Sequence, residues 1–477
     1  MFLERIGAQV VTFIVSLVVA RILVPSDFGI VATAQIFINL ANVFVVNGIN
    51  ASLIQMKQPS DEDYSTAFYA NLLLSVVLYG AVFISAPHVA AFYGNDLLGP
   101  IFRVLGLRLI IGALNAIQRA YVSKQLLFKK FFYSTLFGTV VSGVVGITMA
   151  LKGMGAWAIV GQYLTNTLID TIVLWITVKW RPKRVFSVTK LKSILSFGTR
   201  VFGAAFLNQL YLELRSLVIG KKYSGEDLAY YNRGNSIPQM FYTNIVSAIT
   251  SVMFPVLVTQ VEDSNAFVHG VRKSIRMCCY VLFPLMGGLL LVSRPLLLLI
   301  LTNKWENAII YMQIHCLCYA VLPIQSVIEQ AYKSIGRGDL LLKTFAVEKI
   351  LGILSIVLAL PIGVLAIAYG MLFTSFISTF IHAIPLRRTI GYRLKDLLED
   401  VWQPFVFTFA MAVTVYAAGL PFRNLFAQLI VQTLVGIAVY FILSVLFKSD
   451  SMATLIDIVN GRTNKKFKLL ARMLRRG

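Results

Sequence analysis

The chain has 477 residues, of which 58% are hydrophobic and 13% charged, against about 25% charged in an ordinary soluble domain. This composition excludes a soluble globular protein and a disordered one. There are 43 Lys and Arg against 21 Asp and Glu, a net charge of +22, so the location of the basic residues decides between a nucleic-acid partner and a membrane.

Apolar runs of about 20 residues, long enough to cross a bilayer as helices, recur along the whole chain. Their connections are short and carry turn residues, as in Val24-Pro25-Ser26-Asp27 and Leu360-Pro361-Ile362-Gly363. Fourteen runs are present, at residues 5–23, 29–53, 67–86, 101–122, 132–151, 156–178, 195–219, 230–258, 277–301, 309–331, 344–360, 362–386, 401–420 and 425–447. The sequence therefore predicts an all-α, polytopic membrane protein with about fourteen transmembrane helices.

The basic residues alternate from one connection to the next. With the N-terminus placed in the cytoplasm, and Arg5 at the start of span 1 counted with it, 29 of the 43 Lys and Arg lie in the N-terminus, the even-numbered loops and the C-terminal tail, and 5 lie in the odd-numbered loops. Basic residues mark the cytoplasmic side, so this bias predicts that both termini are cytoplasmic. Residues 464–476 interleave basic and apolar side chains, which predicts an amphipathic helix on the anionic cytoplasmic leaflet. Most of the charge thus has a membrane explanation, and no nucleic-acid partner is expected.

Two turns 200 residues apart share a pattern. Asp27 and Asp227 each follow a long apolar run and open the next one. An offset of six spans preserves orientation, so the pair predicts two parallel six-helix lobes related by an axis along the membrane normal. The predicted divisions are 1–180 for the N-terminal lobe, 181–400 for the C-terminal lobe, 401–447 for two further spans and 448–477 for a cytoplasmic basic tail.

Polar side chains inside the predicted spans form stripes on single helix faces. They are Gln35, Asn39 and Asn42 in span 2, Arg108, Asn115 and Arg119 in span 4, and Gln162, Asn166 and Asp170 in span 6. Such a stripe hydrogen-bonds helices together, the simpler interpretation for any single Asn or Gln, or faces a watery cavity. Arg outnumbers Asp and Glu within the spans, so such a cavity would be cationic and would suit phosphate oxygens. The candidate substrate-binding residues are Arg108, Asn115, Arg119, Asn39, Asn208, Arg215, Arg233 and Lys349.

Several kinds of chemistry lack their residues. The sequence has no GxxxxGK[ST] nucleotide loop, so ATP hydrolysis is not expected, and its outer loops carry no paired carboxylates or Ser/His/Asp set. The four cysteines and the four histidines (His88, His269, His315 and His382) have no metal-ligand spacing and are interpreted as packed or interfacial side chains. We therefore expect a protein that is not an enzyme and has no cofactor and no metal.

At these residues the chain resembles a known family. The pattern Ala20-Arg21-Ile22-Leu23, Pro25 and Asp27-Phe28-Gly29 at the end of span 1 is similar to the polysaccharide transporters, the Wzx-type flippases of the multidrug/oligosaccharidyl-lipid/polysaccharide superfamily. Gln118-Arg119-Ala120, Tyr230-Tyr231-Asn232-Arg233 and Val252-Met253-Phe254-Pro255 fit the branch that includes the colanic acid exporter. The resemblance covers essentially the whole chain and rests on the order and spacing of these segments.

The resemblance implies a bacterial inner-membrane flippase for lipopolysaccharide, capsule or exopolysaccharide synthesis. Its substrate would be an oligosaccharide repeat unit on undecaprenyl diphosphate, moved from the cytoplasmic to the periplasmic leaflet by alternating access of two lobes without ATP. The implied partners are this lipid-linked anionic oligosaccharide, membrane lipids, a proton or sodium ion, and polysaccharide polymerase machinery. Asp170, Glu329 and Glu348 are the candidate ion-coupling residues.

Three alternatives stay open. A multidrug/cation antiporter of the same superfamily would favour an acidic, aromatic cavity, against which the arginine excess argues. A membrane-embedded glycan polymerase or ligase would need catalytic groups in a periplasmic loop, and these loops are short. A scaffold that keeps the fold without transport is the third.

Overall fold

The computed structural model describes residues 2–46 and 48–462, with side chains left undescribed at 2–10, 48, 51, 128, 197–201, 204 and 457–462. The structure is 87% helical, and the described residues contain no strand. Lipid offers backbone N–H and C=O groups no hydrogen-bond partner, whereas a helix satisfies them within one segment. The predicted all-α fold class is confirmed.

The helices follow one another through short connections. In chain order they are α1 (Phe2–Ile22), α2 (Pro25–Val46), α3 (Gly48–Gln55), α4 (Asp61–Tyr93), α5 (Leu98–Lys124), α6 (Phe128–Leu151), α7 (Ala156–Thr177), α8 (Val188–Lys222), α9 (Gly225–Thr259), α10 (Ser264–Leu301), α11 (Ala308–Ser334), α12 (Gly338–Ala359), α13 (Val364–Ala383), α14 (Leu386–Ile390), α15 (Leu394–Gly419), α16 (Leu425–Leu446) and α17 (Asp450–Arg462). A short 3-10 helix spans Asn303–Trp305.

The predicted runs all fall in helices. Eleven helices among the described residues have the length and apolar composition to cross a bilayer. The runs predicted as spans 1, 7 and 11 lie in α1, α8 and α12, which are not among those eleven. In α12 the charged residues Asp339 and Lys343 precede the apolar run, and Glu348 and Lys349 interrupt it. The chain is a multi-pass membrane protein, and the count of fourteen spans stays a prediction.

Helix lengths differ in places from the sequence pattern. The run predicted at 29–53 falls in α2, which is described up to Val46, and in α3, which is described from Gly48. Helices α4, α8, α9 and α10 have 33 to 38 residues, more than the 20 or so that cross a bilayer. The amphipathic helix predicted at 464–476 lies outside the described residues.

The chain forms two compact units, Met1–Ala229 and Tyr230–Gly477. In the first unit α2 packs on α5, α7 and α8, and α6 packs on α1 and α7. In the second unit α10 packs on α11, α15 and α16, and α13 packs on α11 and α12. Helix α8, which the sequence pattern assigns to the second lobe, packs on α2, α3 and α4. The four predicted domain ranges stay predictions.

Asp27 and Asp227 have the same local role. The backbone N–H of Val24 donates to Asp27 Oδ2 at 3.3 Å, and that of Ser224 donates to Asp227 Oδ2 at 3.2 Å. Each carboxylate therefore satisfies a backbone donor at the start of a helix, where the helix dipole also favours negative charge. The similarity between the two turns has this physical basis.

A buried carboxylate joins α15 to α10 in the second unit. Asp400 is fully buried and accepts from Arg272 Nε at 3.0 Å and from Arg276 Nε at 2.6 Å. The Tyr392 hydroxyl also donates to Asp400 Oδ2, at 3.0 Å. One carboxylate thus holds two guanidinium groups of α10, and α15 is fixed at its N-terminal end.

Replacing Asp400 by Asn is expected to lower the free energy of unfolding by about 3 kcal/mol, because two guanidinium groups lose their buried counter-charge. Thermal unfolding of the purified protein in detergent measures the loss. Glu399→Gln is the matched control, since Glu399 is half-exposed and meets Arg272 at 3.4 Å, and its cost is expected to stay below about 1 kcal/mol. Equal losses in the two variants would contradict the anchoring role of Asp400.

Candidate functional site

A cavity of about 600 Å³ lies in the first unit, lined from α2, α3, α5, α6 and α7. Its polar lining consists of Gln35, Asn39, Asn42, Asn50, Arg108, Asn115, Arg119, Ser123, Asn166, Thr167 and Asp170. Eight of the nine residues in the polar stripes of spans 2, 4 and 6 belong to this set. Helical periodicity on three separate helices therefore converges on one cavity.

The ninth stripe residue joins two helices instead. Gln162 on α7 packs against Gly146 on α6, so closely that a Cβ at Gly146 would lie 2.9 Å from the Cβ of Gln162. Small residues at helix interfaces allow such close approach in membrane proteins. For Gln162 the packing interpretation fits its position.

Asp170 neutralises one of the two arginines of the cavity. Arg119 Nη2 donates to Asp170 Oδ2 at 2.6 Å, and Asn115 Nδ2 donates to the same oxygen at 3.1 Å. Asp170 is buried, whereas the Arg119 side chain is 47% exposed. The ion pair fixes α5 against α7 and leaves Arg119 with donors that still face the cavity.

Arg108 has no such partner. Its Nη1 donates to Gln35 Oε1 at 2.8 Å and its Nε donates to Thr167 Oγ1 at 3.2 Å, both neutral groups. The guanidinium also lies over the Tyr163 ring, 5.0 Å from the centroid. Among the described side chains no carboxylate comes within ion-pair distance of Arg108. The positive charge of Arg108 is therefore available to an anion that binds in the cavity.

Glu213 on α8 is absent from the residues that the sequence pattern singles out. Its Oε1 accepts from Asn39 Nδ2 at 2.8 Å and from Gln209 Nε2 at 2.9 Å. Gln35 Nε2 in turn donates to Asn39 Oδ1 at 2.6 Å. The i, i+4 spacing of Gln209 and Glu213 on one face of span 7 is the signal that could have found it.

The two residues of α8 that the sequence does predict, Asn208 and Arg215, do not line this cavity. Asn208 is exposed. Arg215 Nη2 reaches the Tyr211 hydroxyl at 3.5 Å, and its guanidinium lies 5.5 Å from the centre of that ring. Neither side chain lines the cavity.

Four predicted residues belong to the second unit. Arg233 lies over the Trp305 ring, 5.0 Å from its centroid. Glu329 is 3.8 Å from Lys333, while Glu348 is 3.5 Å from Lys349 and 3.7 Å from His382 Nε2. His382 itself is fully buried, with Nδ1 2.8 Å from the Ser378 carbonyl oxygen, which matches a packed histidine.

The structure thus brings five of the eleven predicted site residues to one cavity: Asn39, Arg108, Asn115, Arg119 and Asp170. Asn208 and Arg215 do not line this cavity, and Arg233, Glu329, Glu348 and Lys349 belong to the second unit. The binding and coupling roles of all eleven stay predictions.

Known proteins match most of this chain. The succinoglycan biosynthesis transport protein ExoT of Rhizobium meliloti is 22% identical over 482 residues, covering 96% of this chain and 94% of the relative. The lipopolysaccharide biosynthesis protein WzxC of Escherichia coli is 24% identical over 418 residues, covering 85% and 84% of the two chains. The two relatives are named for the biosynthesis of succinoglycan and of lipopolysaccharide.

The fold has a solved counterpart in the lipid II flippase MurJ in its inward closed conformation. The TM-score is 0.74 at 16% sequence identity, over 94% of this chain and 99% of MurJ. The likeness establishes a MurJ-like fold. Residues 18–310 match the model of the polysaccharide biosynthesis protein family, which is more than half of the chain. The chain therefore belongs to the polysaccharide biosynthesis protein family, as its resemblance to the polysaccharide transporters predicted.

Proposed function

We propose that this protein is a flippase that moves oligosaccharide repeat units, linked to undecaprenyl diphosphate, from the cytoplasmic to the periplasmic leaflet of the bacterial inner membrane. Family membership, the names of the relatives and the MurJ-like fold support a transporter in polysaccharide synthesis. One observation carries the proposal: the guanidinium of Arg108 lines the cavity, and its described polar partners are all neutral.

The charge of the cavity suits a diphosphate. Its lining contains two arginines and one carboxylate, Asp170, so the formal charge of the lining is positive. A guanidinium donates two parallel hydrogen bonds to phosphate oxygens, which a lysine cannot do. A cationic drug would meet repulsion in the same place, so the charge argues against the multidrug antiporter.

The other polar groups suit a glycan. Five asparagines line the cavity: Asn39, Asn42, Asn50, Asn115 and Asn166. A carboxamide both donates and accepts, as a sugar hydroxyl does, so the two pair in either direction. A volume of about 600 Å³ is within the range of small-ligand pockets and accommodates the head group and the first sugars of the repeat unit.

Transport in this proposal is alternating access without ATP, in an orientation with both termini in the cytoplasm. The candidate coupling carboxylates each lie beside a cation: Asp170 beside Arg119, Glu329 beside Lys333, and Glu348 beside Lys349. Binding of a proton or sodium ion to such a carboxylate would release its partner. Polymerase machinery on the periplasmic side would then consume the flipped unit.

Reconstitution into lipid vesicles tests the function. Undecaprenyl-diphosphate oligosaccharide in the outer leaflet is expected to become protected from an added glycosidase, without ATP, in vesicles that contain the protein. Protein-free vesicles provide the baseline. Transport of a cationic dye with no movement of the lipid-linked glycan would contradict the flippase function and favour the multidrug antiporter.

A further inference from the structure

A chain of hydrogen bonds runs from a cation to an anion across α5, α2 and α8 in the first unit. Arg108 donates to Gln35, Gln35 donates to Asn39, and Asn39 donates to Glu213, at 2.8, 2.6 and 2.8 Å. Two carboxamides thus connect a cavity guanidinium to a carboxylate that does not line the cavity.

The direction of this chain is set by its ends. A guanidinium only donates, so Gln35 must present its oxygen to Arg108 and its nitrogen to Asn39. An ionised carboxylate only accepts, so Asn39 must present its nitrogen to Glu213 and its oxygen to Gln35. Both requirements give the same amide orientations, and every link is satisfied while Glu213 is ionised and Arg108 binds Gln35.

A second arrangement satisfies the same groups in the opposite direction. When an anion takes the guanidinium of Arg108, Gln35 can turn its nitrogen to that anion and its oxygen to Asn39. Asn39 then donates to Gln35 and presents its own oxygen to Glu213. That oxygen needs a donor, which Glu213 supplies only when its carboxyl group carries a proton.

We propose that Glu213 is a proton-binding site linked to anion binding at Arg108, so that an anionic head group in the cavity is accompanied by uptake of one proton from solvent. The inference rests on the proposed function for the chemistry of the anion. The hydrogen-bonded chain has two states in which every group is paired. In one, the bonds donate from Arg108 towards an ionised Glu213; in the other, they donate from a protonated Glu213 towards the anion. Linkage is reciprocal, so the proton strengthens anion binding as much as the anion strengthens proton binding.

Few other charges act on Glu213. Its contacts are the amides of Asn39 and Gln209, and among the described residues it forms no ion pair. Of the helices packed on α8, α3 has no charged residue, and α2 has Asp27 alone, in its first turn. On α4, Glu62 and Asp63 pair with Lys190 of α8. Lys190 lies 23 residues before Glu213, about 35 Å along α8. The remaining titratable groups of α4 are Asp61, Tyr64, Tyr69, Tyr79, His88 and Tyr93.

On α8 itself, Arg215 and Tyr211 flank Glu213 and contact each other. Among the described hydrogen bonds of Glu213, the one from Asn39 leads to a residue of the cavity lining. The hydrogen-bonded chain through Gln35 is therefore the feature that an experiment should interrupt.

Calorimetric titration of the full-length protein in detergent with farnesyl diphosphate tests the linkage. The affinity of the wild type is expected to rise about tenfold more than that of Glu213→Gln as the pH falls from 8 to 5. Glu213 must gain a proton before it can donate to Asn39 in the anion-bound arrangement, whereas a glutamine amide at this position donates at any pH. The probe's own ionisation is common to both proteins and cancels in this comparison. Asp96→Asn, in the exposed connection between α4 and α5, is the control and should follow the wild type.

Two further measurements do not depend on the Glu213 variant. Titration in buffers of different ionisation enthalpy should show the wild type taking up about one proton per bound probe at neutral pH, beyond the protons that the probe itself gains. Gln35→Leu interrupts the chain while both ends remain, and it should abolish this uptake.

The two levels of the proposal fail in different ways. Failure of the wild type to bind the probe, or undiminished binding by Arg108→Ala, would overturn the proposed anion site. Binding through Arg108 with an unchanged proton uptake in Glu213→Gln and Gln35→Leu would overturn the role of Glu213 alone.

Discussion

Export of the lipid-linked oligosaccharide is expected to stop when Arg108 is replaced by alanine. Among the described side chains of the cavity, this guanidinium is the cation without a carboxylate partner. Loss of one partner of the buried charge pair that it would form with a phosphate costs about 2 kcal/mol or more, about thirtyfold in affinity. The measurement is restoration of polysaccharide export in a cell that lacks its own flippase. Arg108→Lys keeps the charge but loses the planar fork, so it should retain only part of the activity.

Arg103→Ala is the matched control because it removes the same side chain from the same helix. Arg103 lies over the Phe83 ring at 4.6 Å, donates to the Phe83 carbonyl oxygen and does not line the cavity. Export should persist in this variant at wild-type expression. Full export by Arg108→Ala and Arg119→Ala would mean that the cationic cavity does not bind the substrate.

Replacing Gly29 by alanine is expected to destabilise the first unit severely. A Cβ at this position would lie 2.0 Å from the carbonyl oxygen of Gly225 and 2.2 Å from its carbon, both backbone atoms that cannot rotate away. The start of α2 and the start of α9 would have to separate, at a cost of about 3 kcal/mol or more. Thermal unfolding and export should both report this loss.

Gly225→Ala provides an unusually close control. A Cβ at Gly225 would meet the backbone of Gly29 at 3.4 Å, an ordinary contact distance, although the same two residues face each other. The melting temperature should therefore change little in Gly225→Ala and fall by several degrees in Gly29→Ala. Equal effects in the two variants would show that the close contact does not determine stability.

Helical periodicity explains what the sequence predicts well. Residues three, four, seven and eleven positions apart share a helix face, so the stripe of Arg108, Asn115 and Arg119 needs no knowledge of neighbouring helices. The same holds for Asn39 and Asp170, whose side chains reach the same cavity. Gly29 likewise belongs to the motif that carries the family resemblance. Its close contact with the backbone of Gly225 explains why a residue without a Cβ stands at this position.

Pairing between helices is what periodicity cannot supply. The sequence pattern identifies Arg119 as a candidate substrate-binding residue, but it does not show that Asp170, 51 residues away, pairs with it at 2.6 Å. Glu213 acquires its importance only through Asn39, 174 residues away. Periodicity also gives no distance between spans, so it groups Arg215 with the cavity residues although Arg215 does not line the cavity.

The most direct measurement is a structure of the protein with a bound undecaprenyl-diphosphate oligosaccharide. The proposal predicts phosphate oxygens within hydrogen-bond distance of the Arg108 guanidinium, with Gln35 turned towards them and the first sugars beside the cavity asparagines. A diphosphate bound beside Arg233 or Lys349 in the second unit, with Arg108 still donating to Gln35, would contradict it.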